Sequence, residues 1–107
     1  MAKLPKRFER FLKEYPEIAT AYENLGDAIH KEGSLNDRER TLVKLALAAG
    51  ARSEGATHSQ VRKSLKLGLK KNEIRQIALL AIPTLGFPNA MAVMSWIDDI
   101  LDQKKGK

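Results

Sequence analysis

The sequence contains no cysteine. That single absence removes disulfides, thiolate nucleophiles and Cys-ligated zinc or iron–sulfur centres together. Small secreted domains are commonly stapled by disulfides, so the lack of any leans toward a reducing, cytoplasmic setting. Long apolar runs are missing too. The longest strongly apolar stretch, Ile77 to Ile82, is far short of the roughly 20 residues that cross a bilayer. The opening residues, Met1 to Arg10, carry charge but no apolar segment of the signal-peptide kind. No nucleophile elbow, phosphate-binding loop, dinucleotide fingerprint or HExxH zinc motif is present. No period-2 alternation stands out, so strands are not expected.

What is there suits one helical domain covering 1–107. The chain has 107 residues, 43% of them apolar, enough for a packed core. A domain this small buries a limited fraction of its surface and gains from self-association. The formal charge is +6. Its clearest basic cluster is Arg62, Lys63, Lys66, Lys70 and Lys71, with a second at Lys104, Lys105 and Lys107. Charges of both signs are interspersed along the chain. We read the basic clusters as a solvated helix face and a tail, so nucleic acid is not the expected partner.

Helical spacing predicts about six helices. The first runs from about Pro5 to Tyr15, with Phe8, Phe11, Leu12 and Tyr15 on one stripe. Pro16 restarts the chain, and a second helix carries Ile18, Tyr22, Leu25 and Ile29 on its expected inner face before Gly33. Ser34 and Asn36 offer caps for a third helix from Asp37 to Ala49, whose apolar second half should be central. Ser53 caps a fourth that stops at Gly68. A fifth begins near Lys71, and Pro83 should kink or end it. Pro88 opens the sixth, which presents Met91, Met94, Ile97 and Leu101. The methionines and Trp96 read as core or subunit contacts. Short loops suggest that helices three, four and five pack as nearly antiparallel neighbours.

The informative residues are polar ones on apolar stripes. Glu54, His58, Val61 and Leu65 share one helix face, and Glu39 shares a face with Leu35, Leu42 and Ala46. Burying a carboxylate or an imidazole costs free energy unless it is paired or used. Glu39 lies about 15 Å and His58 about 10 Å from the turn between their helices, close enough for long side chains or one water to connect them. This set supports proton transfer: imidazole titrates near neutrality, and a carboxylate beside it fixes tautomer and orientation. The same residues also fit a satisfied His–Glu pair that merely joins two helices, and the sequence leaves both readings open. Metal binding is not expected, because a second histidine is missing from the set. His30, near the end of the second helix, reads as a favourable charge on the helix dipole.

Four segments together resemble the carboxymuconolactone decarboxylase-like family, which includes the alkylhydroperoxidase D proteins. They are Arg38-Glu39-Arg40-Thr41-Leu42-Val43-Lys44-Leu45-Ala46, then Glu54-Gly55-Ala56-Thr57-His58, then Gly68 with Lys71-Asn72-Glu73-Ile74, and last Gly86-Phe87-Pro88-Asn89-Ala90. The resemblance implies an all-helical bundle around a central helical hairpin, with N-terminal helices over 5–32 and a family core over 35–103. It also implies assembly into dimers, trimers or hexamers. The peroxidase branch carries a Cys-x-x-Cys-x-x-x-His pattern. Counting back from His58, its cysteine positions fall on Ala51 and Glu54, and its upstream glutamate on Glu39. Alanine and glutamate cannot replace a thiolate, so thiol peroxidase chemistry is not expected. The decarboxylase branch resembles this chain in its Glu-x-x-x-His. By that likeness His58 is the general acid/base, Glu54 its orienting partner and Glu39 a second relay, decarboxylating or isomerising a small carboxylated lactone without a cofactor. Arg52 or Arg38 could attract the anion. The alternative is a non-enzymatic oligomeric scaffold that keeps a vestigial pocket.

Overall fold

A computed structural model describes residues 6–103, and every described element is an α-helix or a turn. Contacts divide the chain into two compact units, Met1–Ser34 and Leu35–Lys107. Pro5 and the Lys104, Lys105 and Lys107 cluster lie outside the described residues.

The first unit is a helical pair, α1 (Lys6–Glu14) and α2 (Pro16–Glu32). Pro16 opens α2 because its missing N–H would be unpaired there in any case. The Phe11 and Tyr15 rings meet at 5.4 Å. Ile18, Tyr22, Leu25 and Ile29 do not form an inner face against α1, since all four are exposed.

The second unit contains α3 (Asp37–Gly50), α4 (Glu54–Leu67), α5 (Lys71–Leu85) and α6 (Phe87–Leu101). Local chemistry sets most of the boundaries. Asn36 Oδ1 accepts from the Glu39 N–H at 2.8 Å, while Glu39 Oε1 accepts from the Asn36 N–H at 3.0 Å. This reciprocal box satisfies donors that a helix start would otherwise leave open. Ser53 Oγ caps α4 by accepting from the Ala56 N–H. At the other end Gly68 takes φ 99°, and the Gly68 and Leu69 N–H groups bond back to Leu65 and Ser64 carbonyls.

The helices close on a core of Leu45 and Ala49 from α3, Val61 from α4, Ile74 and Ala78 from α5, and Val93 and Ile97 from α6. The helix order along the chain is not the packing order. α5 packs chiefly on α6, and α4 on α3 and α6, whereas α4 and α5 touch only slightly despite their short connection. The stripe that α4 turns inward is Thr57, Val61 and Ser64. Burying those two hydroxyls is tolerated because each donates to the carbonyl four residues earlier, at 2.8 Å. Across the outside, Arg75 joins α5 to α6 through Asp98 (3.0 Å) and Asp102 (2.8 Å). Arg38 of α3 pairs with Glu73 of α5 and, as the main cause, holds the Glu73 carboxyl below its ordinary range.

Two expectations about the helices need correcting. Pro83 does not end α5, which runs on to Leu85. The ring is exposed, and its missing N–H costs the helix one backbone hydrogen bond. The second half of α3 is not central on every side. It buries Leu45 and Ala49 but leaves Val43 and Leu47 exposed, Leu47 by 67%. Beside them lies a shallow apolar groove of about 150 Å³ between α3 and α5, lined by Ala46, Ala49, Ile77, Leu80, Ala81 and Leu85 among others.

The actual break after α5 is Gly86, at φ 94° and ψ 152°. That backbone region is essentially closed to residues with a Cβ. A Cβ built there would meet nothing within 4 Å, so a substitution would be penalised by backbone strain alone. Gly86→Ala is expected to cost about 1–3 kcal/mol in urea denaturation. An unchanged midpoint would mean that the α5–α6 connection relaxes freely.

Candidate functional site

The site is built where α4 crosses α6. Glu54 is the first residue of α4, and His58 follows one turn later. The two therefore project on the same side of the helix. Asp99 comes from the last turns of α6. His58 Nε2 lies 3.0 Å from Asp99 Oδ2 and 4.0 Å from Glu54 Oε2. The imidazole is partly covered, with 20% of its side chain exposed, while Glu54 and Asp99 are 59% and 54% exposed.

An ionised carboxylate can only accept hydrogen bonds. The 3.0 Å contact therefore places a proton on His58 Nε2, and a neutral ring keeps its lone pair on Nδ1. Asp99 thus fixes both the tautomer and the plane of the ring. Glu54 adds a second negative charge beside the same nitrogen. The three ligand-type atoms lie within 4.8 Å of one another, a set of donors suited to either a proton or a cation.

Arg52 stands just before α4 with φ 59°, a left-handed conformation that a residue with a long side chain adopts at a cost. Its guanidinium sits 5.9 Å from the centre of the Trp96 ring on α6, in cation–π range. This places a positive group at the opening of the helix that carries Glu54 and His58.

The sequence brought Glu54 and His58 together, and the structure does the same. It does not bring Glu39 to them. Glu39 is exposed at the start of α3, where its carboxylate caps Asn36. The expected inward face of α4 is also displaced: the buried stripe runs through Thr57, not His58, and Leu65 is exposed. His58 therefore lies on the flank of the core and Glu54 outside it. The residue that sequence reasoning missed is Asp99. Its signal was present, as Asp98-Asp99 is the one acidic pair interrupting the apolar sixth helix. The structure divides the pair, with Asp98 turned to Arg75 and Asp99 to His58. The apolar groove is elsewhere, on the α3–α5 side, and none of the three site residues lines it.

No helix among the described residues is long and apolar enough to cross a membrane. No curated protein matches the chain. Among solved structures, it is similar to the apo form of a carboxymuconolactone decarboxylase family protein from Legionella pneumophila. That likeness has 22% sequence identity and a TM-score of 0.74, and covers 90% of this chain and 85% of the other. At such low identity the likeness speaks for the fold. The family model of the Carboxymuconolactone decarboxylase family matches residues 16–99, most of the chain and all three residues at the α4–α6 crossing. On that match, this cysteine-free helical chain belongs to the carboxymuconolactone decarboxylase family.

Proposed function

We propose that the chain is an acid–base enzyme acting on a small carboxylated lactone, with His58 as the proton carrier. The observation that supports this best is the His58–Asp99 contact at 3.0 Å beside Glu54. A carboxylate that fixes one ring nitrogen prepares the other for proton transfer. In a decarboxylation, the bond to the carboxyl carbon breaks and carbon dioxide leaves. The electron pair is delocalised into the lactone carbonyl. A protonated His58 then delivers the proton from Nδ1 to carbon and returns to the neutral ring. Arg52, held against Trp96, supplies a guanidinium for the substrate's carboxylate. Two carboxylates border the imidazole, so the substrate anion needs such a counter-charge. Glu39 keeps its capping role and is not part of this scheme.

We further propose that the protein works as a homo-oligomer. Leu80, which is exposed, lines an apolar groove between α3 and α5, and Val43 and Leu47 of α3 are exposed apolar residues as well, the kind of surface that association covers. Covering that face leaves the α4–α6 crossing to the substrate.

The test is carbon dioxide release from carboxylated muconolactones by the purified full chain. Turnover in the parent, with kcat reduced about tenfold or more in Asp99→Asn, is the expected result. Asparagine keeps the shape but can present an N–H to Nε2, which favours the wrong tautomer. No turnover in the parent, or equal kcat in both, would remove the reading.

A further inference from the structure

We infer that Glu54, His58 and Asp99 form a binding site for one divalent transition-metal ion, with at least one coordination position left open. This goes beyond the proton-transfer reading and does not depend on it. Zinc bonds to imidazole nitrogen and carboxylate oxygen at about 2.0–2.2 Å, which puts neighbouring tetrahedral ligands about 3.4 Å apart. The observed separations from Nε2, 3.0 Å to Asp99 and 4.0 Å to Glu54, bracket that value. The three ligand atoms lie within 4.8 Å of one another, and both carboxylates are exposed, so their side chains have room to rotate toward a common ion. The imidazole is partly covered and held between two helices, so it is the fixed point of the set.

Charge supports the same assignment. The chain as a whole carries +6, yet this crossing gathers two carboxylates around one nitrogen. A single N–H can be donated to only one of them at full strength. Arg75, the cation that neutralises the neighbouring acids of α6, is committed to Asp98 and Asp102. A dication placed between the three atoms answers both carboxylates at once. Nitrogen with two oxygens favours zinc and its first-row neighbours over magnesium, which prefers all-oxygen shells. On binding, Nε2 gives up its proton and the neutral ring carries its one N–H on Nδ1. Metal occupancy and the Asp99-held tautomer are therefore mutually exclusive at this ring.

The experiment is isothermal titration of the chelator-treated full chain with zinc chloride, in the absence of any substrate. One ion per chain is expected, with a dissociation constant on the order of micromolar, weaker than closed four-ligand sites. His58→Ala should weaken binding by roughly 100-fold, and Glu54→Gln and Asp99→Asn each by roughly tenfold, in proteins whose circular dichroism is unchanged. His30→Ala should leave binding intact, and excess magnesium should not compete. Absence of one-to-one binding would overturn the inference, as would binding that survives His58→Ala or is lost with His30→Ala. Zinc binding without turnover would remove the enzymatic reading and keep this site. Turnover without zinc binding would do the reverse.

Discussion

His58→Ala is expected to lower kcat by about 10²–10⁴-fold on any substrate the protein turns over, with the helices intact. The size of the effect follows from the geometry. Among the described residues of the second unit His58 is the only imidazole, and with its Nε2 held by Asp99 it offers Nδ1 for proton delivery. The expectation of an intact fold follows from burial. The ring lies beside the core stripe of Thr57, Val61 and Ser64 rather than within it, and its acidic partners are exposed. Losing a partly solvated pair of this kind costs about 0–1 kcal/mol. Stopped turnover with an unchanged thermal midpoint therefore separates a chemical role from a structural one. Equal kcat in parent and variant would show that the imidazole only links α4 to α6.

The same crossing shows what the sequence could and could not reveal. Helix boundaries were legible wherever the signal was chemical and local. Asn36, Ser53 and Gly68 each satisfy backbone groups a few residues away, and their effect needs no tertiary contact. Glu39 carried two competing signals: it lies on an apolar stripe, and it stands three residues after a capping asparagine. The local hydrogen bond prevailed, because an unpaired N–H at a helix start is costly wherever the rest of the chain goes. His58 was misplaced by a single step around the helix. Stripes through residues 57 and 58 differ by about 100°, and both include Val61 within their span. Asp99 was hidden for a different reason. Its partner is 41 residues away, and no spacing rule links α4 to α6 when the chain's short loops suggest that α4 pairs with α5. Pro83 shows the opposite limit. Its local rule is strong, yet α5 continues two residues past it.

Ile97→Ala should destabilise the second unit by about 2–5 kcal/mol, the range for emptying a fully buried aliphatic position. Ile97 has no exposed surface and sits in the central cluster with Leu45, Val61 and Ile74. A domain of this size has only about 5–15 kcal/mol in all, so the variant should lose a large part of its urea midpoint. Ile97 also sits two residues before Asp99, and the packing of α6 is what presents that carboxylate to His58. Partial loosening should therefore weaken the His58–Asp99 contact before global unfolding. Leu47→Ala is the informative comparison, since it removes a side chain of similar size from a position 67% exposed. In an isolated chain that change should cost little, within about 0.5 kcal/mol. If the α3–α5 face is covered by a second copy, the cost of Leu47→Ala should grow with protein concentration, whereas that of Ile97→Ala should remain after the subunits part. Denaturation of both variants at two protein concentrations would thus separate the core of the chain from the surface that self-association would bury. A small effect of Ile97→Ala at both concentrations would contradict the packing of α6 itself.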